Sequence, residues 1–215
     1  MACRQCEGIE QIFNSKKARK QLKRYRKKGG IKSTKLLIEA IRVQGVKNLS
    51  LLDIGGGVGA IQNALLNDGL EKVTSVDASS GYIGVAKEEA IAQKHDNKIT
   101  WHHGNFTEVH EKIESADIVT LDRVVCCFDD MPLLVSSSLN KADQYYGLVF
   151  PNDSWIAKVI SGVGTLFLSL IRSPFRSYIH SVSKIQELIT SAGFENVYWA
   201  KANVWIVALY KKRSG

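Results

Sequence analysis

A glycine-rich turn carries the first residues whose types and spacing could do chemistry. In LLDIGGGVGA, residues 51–60, Gly55, Gly57 and Ala60 fit the pattern G-x-G-x-x-A, and Asp53 precedes them. Glycines at this spacing let backbone approach a ligand closely where a strand leads into a helix. Asp77 follows 22 residues after Gly55, at the end of the next apolar run. These features are typical of a site for a nucleotide-containing cofactor.

Asp53 discriminates between the two ligand classes that such a turn can hold. A carboxylate beside the turn repels the pyrophosphate of a nicotinamide or flavin dinucleotide, whereas it favours S-adenosylmethionine, which carries an ammonium and a sulfonium. Like charges a few ångströms apart in a partly buried site cost about 1 to 4 kcal/mol. After the fifth predicted strand only about 65 residues remain, few for the catalytic domain of a dehydrogenase. The sequence therefore favours S-adenosylmethionine, with a dinucleotide as the alternative.

The turn lies in a chain that alternates short β-type runs with helical segments. The predicted strands cover residues 49–54, 72–77, 98–103, 117–122 and 145–150. Such alternation predicts right-handed βαβ units and a mostly parallel sheet. Helical patterns then follow at 153–172 and 181–192, and the chain ends in two strands over 194–212 with a tight turn near Ala202 and Asn203. This terminal hairpin gives the sheet a mixed edge.

The basic charge of the protein belongs to its N-terminal segment. The 215 residues carry a net charge of +8, but residues 1–35 hold twelve Lys or Arg against two Glu, a net charge of +10. SKKARKQLKRYRKKGG, residues 15–30, predicts a helix capped by Ser15 and ended by the two glycines, with an apolar stripe of Ala18, Leu22 and Tyr25. This basic helix is either a solvated lid or a patch for an anionic substrate, a nucleic acid or a lipid surface.

Thr34 is predicted to cap a further helix over KLLIEAIRVQG, residues 35–45. The longest apolar stretch, residues 159–171, has 13 residues and is too short to span a membrane, so a buried or interfacial helix is expected. It could cover a hydrophobic substrate. No N-terminal signal pattern is present, and a cytoplasmic location is expected.

The four cysteines predict neither a disulfide framework nor a metal centre. Cys3 and Cys6 form a single C-x-x-C, and Cys126 is followed directly by Cys127. A zinc site would need a second pair of Cys or His ligands at suitable spacing. No metal is therefore predicted.

These motifs together resemble the class I S-adenosylmethionine-dependent methyltransferases over residues 34–211. The resemblance implies an α/β, Rossmann-like, seven-stranded mixed sheet with helices on both faces and an antiparallel last strand, to which the basic lid helix is added. It also implies a cofactor over the carboxyl ends of the first four strands. We expect a basic N-terminal arm over 1–33 and the methyltransferase domain over 34–215. LDRVVCCF, FRSYIH and SKIQELITSAGF more weakly resemble the magnesium-protoporphyrin IX methyltransferase-like branch.

The first two motifs of the family can be carried over residue by residue. LDIGGGVG resembles the family's first motif, which implies that Asp53, Gly55 and Gly57 lie near the methionine moiety of the cofactor. Asp77 in SVDASS matches the acidic residue that accepts both ribose hydroxyls. A helix N-cap is the other interpretation of Asp77.

The adenine end of the cofactor is assigned from neighbouring positions. The resemblance implies that Ala78 and Ser79 flank the adenine. Asn105 in WHHGNF stands where the family usually has an acidic residue, and its side-chain oxygen can still accept from the adenine amino group. Phe106 is expected to pack beside the ring or to serve as core.

Three residues are candidates for the reaction itself. LDRVVCCF resembles the family segment that lies between cofactor and substrate, which makes Asp122 and Arg123 candidate site residues. Asp122 could also contact the cofactor. The alternative is that Asp122 and Arg123 form an ion pair with a purely structural role. Methyl transfer needs little acid–base machinery, but an oxygen or carbon acceptor must lose a proton. His180 in RSYIH is the first candidate base, although a surface or core histidine is the alternative; His102 and His103 lie too near the expected adenine.

Three functions follow from these assignments. The first is an S-adenosylmethionine-dependent transferase that methylates an O, N or C atom of a small molecule, of amphipathic or anionic character, and releases S-adenosylhomocysteine. The second is an RNA or protein methyltransferase that uses the basic arm. The third is a nicotinamide-dinucleotide-binding protein. Peripheral membrane contact through the arm is compatible with the charge pattern.

Overall fold

The predicted strands form one mixed sheet. The structure, a computed structural model, describes residues 4–155 and 174–213. Seven strands run in the order β3-β2-β1-β4-β5-β7-β6, and β7 is antiparallel to both its neighbours while the other pairings are parallel. The strands are β1 Ser50–Ile54, β2 Lys72–Asp77, β3 Ile99–His103, β4 Ala116–Asp122, β5 Ala142–Pro151, β6 Phe194–Ala202 and β7 Trp205–Lys212. The sheet, including the antiparallel last strand, is therefore confirmed.

Helices cover both faces of this sheet. They are α1 Arg4–Ile12, α2 Ser15–Lys28, α3 Lys32–Gln44, α4 Ala60–Asn67, α5 Ser80–Ala92, α6 Phe106–Val109, α7 Met131–Leu139 and α8 Val182–Ser191, with a 3₁₀ turn at Val125–Cys127. Successive side chains of a strand point to opposite faces, so Leu51 packs into the core formed by α3 and α4 while Leu52 packs into the core under α7 and α8. Burial on both faces explains why the central strands are continuously apolar.

Two predicted helix caps are wrong. Asn14, not Ser15, caps α2, because its side-chain oxygen accepts a 3.1 Å hydrogen bond from the amide of Lys17. Helix α3 already begins at Lys32, so Thr34 lies inside its first turn, where the side chain is buried and bonds elsewhere. The C-terminal end of α2 is as predicted, since Gly29 adopts a left-handed φ of 66° and donates to the carbonyl of Tyr25.

The basic helix packs against α5 through its predicted apolar stripe. Ala18 and Leu22 are buried in a cluster with Val58, Tyr82 and Val85, and Tyr25 packs at its edge. Two ion pairs flank this contact: Arg19 binds Glu88 at 2.8 Å and Arg26 binds Glu89 at 2.5 Å. The division into an arm over 1–33 and a domain over 34–215 stays a prediction.

Most of the predicted helix over 153–172, with the apolar stretch 159–171, lies outside the described residues. Within residues 4–155 and 174–213, no helix combines the length and apolar composition needed to cross a membrane. Ser181 caps α8, and the terminal hairpin turns at Asn203, which has a φ of 58°.

Candidate active site

The glycine turn directly follows β1 and leads into α4. Gly55, Gly57 and Gly59 have φ angles of 66°, 58° and 77°, in the left-handed region that favours glycine. A Cβ atom on Gly55 would lie 2.4 Å from Cγ2 of Val124, so a side chain cannot be accommodated there. The sequence folds this way because only glycine allows both the conformation and the close approach.

A cavity of about 770 Å³, here called the first cavity, opens beside this turn. Gly55, Asp77, Gly104 and Asp122, which end or directly follow β1, β2, β3 and β4, all line it. It therefore lies over the carboxyl ends of the first four strands, the usual ligand position in open α/β sheets. Other lining residues are Ile9, Phe13, Gln21, Ala78, Tyr82, Phe106, Arg123, Cys127 and Phe128.

A second cavity of about 500 Å³ lies on the other side of the glycine turn. It shares Gln21, Gly55, Gly57, Asp122 and Arg123 with the first cavity, so the two are neighbours along one crevice. Its remaining wall comes from α2, the start of α3 and the glycine turn, and includes Arg24, Tyr25, Thr34 and Asp53.

Asp53 lies at the floor of the second cavity and is held by the protein. Its Oδ1 accepts a 2.7 Å hydrogen bond from Thr120, and its Oδ2 accepts a 2.9 Å bond from Gln62. The carboxyl is 1% exposed, and this burial raises its pKa to about 7. The side chain thus supports the turn from below, and its charge depends on pH in the neutral range.

Asp77 connects the glycine turn to the next βα connection. Its two oxygens accept from the amides of Gly57 at 3.0 Å and Ser79 at 2.8 Å, and burial raises its pKa to about 6. A carboxylate has about four acceptor positions, so capacity remains on the cavity side. Ala78 also lines the first cavity. Ser79 is fully buried, caps α5 and donates its hydroxyl to the carbonyl of Phe13.

Asn105 and Phe106 take different positions after β3. Phe106 is buried and lines the first cavity. The side-chain oxygen of Asn105 accepts from the amide and the hydroxyl of Thr107 and so caps α6. Its amide group donates to Glu108 at 3.2 Å. Asn105 supports the backbone that places Phe106; its contact with adenine stays a prediction.

Asp122 and Arg123 line both cavities. The guanidinium of Arg123 donates to its neighbour's carboxylate, with Nε 3.0 Å from Oδ1 of Asp122. Arg123 has a φ of 63°, rare for a residue with a side chain, and such backbone strain is found preferentially at functional sites. The hydroxyl of Thr34 donates to Oδ2 of Asp122 at 2.6 Å. The structure thus brings together a carboxylate, a guanidinium and a hydroxyl at the crevice.

His180 lies behind the wall of the first cavity. Its Nε2 is 2.7 Å from the carbonyl oxygen of Phe128, and its ring stacks on Tyr178. Phe128 lines the cavity, whereas His180 does not. Among the described residues, no group of three or more His, Cys, Asp or Glu side chains could hold a metal ion.

The sequence analysis missed the cavity residues that the N-terminal arm supplies. Ile9, Phe13 and Gln21 line the first cavity, and Gln21 accepts a 2.9 Å hydrogen bond from the hydroxyl of Tyr82. A signal was present for Gln21, an uncharged residue beside the apolar stripe of a helix that is otherwise mostly cationic. No motif within the sequence of the arm predicts that the arm packs over the crevice.

Residues 52–139 match the family model of the methyltransferase domain, a range that spans the glycine turn, Asp77 and Asp122. No protein of curated function is significantly similar in sequence. Solved structures share the fold at low identity. Magnesium protoporphyrin IX methyltransferase from Synechocystis PCC 6803, with bound S-adenosylhomocysteine, is 18% identical with a TM-score of 0.68 over 84% of this chain and 82% of that chain.

Two further structures show how widely this fold is used. An O-methyltransferase family protein from Burkholderia thailandensis is 14% identical with a TM-score of 0.68 over 85% of this chain and 55% of that chain. A putative RNA methyltransferase from Pyrococcus horikoshii is 13% identical with a TM-score of 0.59 over 84% and 83%. The sheet order and the position of the crevice are those of the Rossmann-like methyltransferase fold. Within this fold, residues 52–139 carry the matched methyltransferase domain.

Proposed function

We propose that this chain methylates an O, N or C atom of a small molecule, with S-adenosylmethionine bound along the crevice formed by the two cavities. The observation that carries the proposal is the position of the first cavity, where Asp77 and Phe106 meet the glycine turn over the ends of β1 to β4.

The residues of the crevice fit the cofactor in chemical type. Asp77 would accept the ribose hydroxyls, and Ala78 and Phe106 would contact the adenine. Gly55 and Gly57, which line both cavities, would present backbone to the methionine moiety. The buried Asp53 would add negative charge beneath the ammonium without touching it, since its side chain is almost fully enclosed by protein.

S-adenosylmethionine supplies a methyl group on a positively charged sulfur, so the protein chiefly aligns the acceptor and excludes water. α1 and α2 provide that exclusion, because Ile9, Phe13 and Gln21 cover the crevice. Asp122 is the titratable acceptor that lines both cavities and could take a proton. His180 would need to act past Phe128, so we place Asp122 ahead of it as the base.

The acceptor is proposed to carry an anionic group. Arg24 lines the second cavity and has no acidic partner among the described residues, while Arg123 lines both cavities and is paired with Asp122. A carboxylate or phosphate on the acceptor would pair with these guanidinium groups. Charge reversal at Arg24 should then raise the acceptor KM, whereas reversal at Lys28, which does not line the cavity, should leave it unchanged.

Isothermal titration with S-adenosylmethionine, S-adenosylhomocysteine and NAD tests the cofactor. We expect binding of both sulfur compounds and none of NAD. Binding of NAD alone would contradict the proposal. Incubation with methyl-labelled cofactor and a set of small anionic acceptors, followed by mass spectrometry, then identifies the methylated compound.

An RNA substrate is the second candidate, favoured by the solvent-facing side of α2. Lys16, Lys20, Lys23 and Lys27 are exposed and form no ion pair with any described residue, unlike Arg19 and Arg26. Deletion of the arm is a poor test, because it also removes cavity residues. Substitution of the four lysines by glutamine is better: salt-dependent RNA binding that these changes abolish would support the RNA candidate.

A further inference from the structure

Two adjacent thiols lie at the wall of the crevice and have no part in the proposed methyl transfer. Cys126 and Cys127 belong to the 3₁₀ turn after β4, and both are in the thiol form. Both thiols donate to the carbonyl oxygen of Arg123, with sulfur–oxygen distances of 3.5 Å for Cys126 and 3.8 Å for Cys127. The backbone thus holds both sulfurs on one side of the turn.

The two thiols differ in character and in access. The hydrogen bond from Cys127 favours the thiolate of Cys126 and lowers its pKa, whereas the same bond and burial raise the pKa of Cys127. Cys126 is buried, while Cys127 is half-buried and lines the first cavity together with Asp77. A ligand in the cavity can therefore reach Cys127, and Cys126 is its neighbour in the chain.

The adjacency of the two residues selects the kind of ligand. Neighbouring Cα atoms are about 3.8 Å apart, whereas a disulfide usually needs about 4.4 to 6.8 Å. A direct S–S bond would therefore strain the turn, while a single soft atom bridging both sulfurs would not. Thiolates select soft ligands, so two adjacent sulfurs suit a single soft atom that can bond both.

We propose that Cys126 and Cys127 form a dithiol site for a thiophilic ligand that bonds two sulfurs, of the class of monosubstituted trivalent arsenicals, and that its occupation closes the first cavity. In the reaction with an arsenoxide, two As–S bonds form and the As=O bond breaks. The oxygen leaves as water with the two thiol protons, and no atom changes oxidation state. Closure follows because Cys127 and the proposed ribose acceptor Asp77 line the same space, so this part rests on the proposed function.

Phenylarsine oxide is the probe, used on full-length protein with Cys3→Ser and Cys6→Ser to remove the other cysteine pair. We expect one equivalent to bind, to consume two thiols in a thiol titration and to be released by 2,3-dimercaptopropanol but not by excess monothiol. Further substitution with Cys126→Ser or Cys127→Ser should abolish this resistance to monothiol. Capture that remains resistant in either variant would overturn the dithiol site.

The number of thiols consumed is measured on protein that keeps both Cys126 and Cys127, so it does not depend on how well the Cys126→Ser and Cys127→Ser variants fold. Consumption of only one thiol per arsenic would also overturn the site. Phenylarsine oxide bound at Cys126 and Cys127 should weaken S-adenosylhomocysteine binding by about tenfold or more. By linkage, bound S-adenosylhomocysteine should weaken the binding of phenylarsine oxide by the same factor. An adduct that leaves this affinity unchanged would overturn the closure. Absence of nucleoside binding before any modification would contradict the proposed function and leave the capture result standing.

Discussion

The hydroxyl of Thr34 donates a 2.6 Å hydrogen bond to Oδ2 of Asp122, across 88 residues of sequence. Arg123 holds the other oxygen of the same carboxylate at 3.0 Å. Helix α3, which follows the N-terminal arm, is thereby joined to the end of β4 at the point where the two cavities meet. This contact fixes Asp122, the residue that we propose as the base.

Removal of the Thr34 hydroxyl tests this positioning. We expect Thr34→Val to lower the free energy of unfolding by about 1 to 3 kcal/mol, because a nearly buried carboxylate loses a hydrogen bond. Thr34→Ser keeps the hydroxyl and should recover most of the loss. Urea unfolding measures the stability, and kcat reports on how well Asp122 is positioned, with the cofactor KM as the control. Equal stability and equal kcat for the valine and serine variants would show that the hydrogen bond does not position Asp122.

Replacement of Asp77 tests the cofactor site. Asp77→Asn removes the charge and one of the two oxygens that accept from the amides of Gly57 and Ser79. We expect S-adenosylhomocysteine to bind about 10- to 100-fold more weakly, the usual effect of losing charge-assisted hydrogen bonds. Asp96→Asn, at an exposed turn before the start of β3 and so at the opposite end of the parallel strands, is the control. Isothermal titration gives both affinities. Unchanged binding by the Asp77 variant would remove this residue from the site.

Two glycines of α5 test whether the arm must dock on the crevice. A Cβ atom on Gly81 would lie 2.6 Å from the amide nitrogen of Ser15, whereas a Cβ on Gly84 would meet nothing within 4 Å. We expect Gly81→Ala to displace the start of α2 and to weaken nucleoside binding. Gly84→Ala should stabilise the protein by about 0.5 to 1 kcal/mol and leave binding unchanged. Matching affinities in the two variants would show that binding does not depend on this contact.

Asp53 predicts a pH dependence of stability. Burial raises its pKa from 3.8 to about 7, so the folded state retains a proton that the unfolded state has released. The contribution is therefore full below about pH 4 and is lost as the pH rises through about 7. In Asp53→Asn the new amide can donate to Oε1 of Gln62, which has no partner among the described residues. We expect the Tm difference, variant minus wild type, to grow by several degrees between pH 4 and 8; a constant difference would contradict the role of Asp53.

The strands and the glycine turn could be predicted because their signals are local. Alternation of apolar runs with helical segments gave β1 to β5 within a few residues at each end, and the hairpin of β6 and β7 was marked by two β-type runs around Asn203. The caps of α2 and α3 failed for a different reason. A hydroxyl near a helix start can bond the helix or a distant partner, and Thr34 bonds Asp122.

The sequence by itself determined the fold class, the glycine turn and the acidic residue at the end of β2. Backbone conformation and strand burial depend on residue type and spacing, which can be read directly from the sequence. Only the tertiary structure decided that the arm lines the crevice, that Asn105 caps a helix and that His180 lies behind Phe128. The hydrophobic periodicity of a helix predicts which of its faces is buried, but it does not predict which element packs against that face. Contacts such as Gln21 with Tyr82, 61 residues apart, form only when the whole chain has folded.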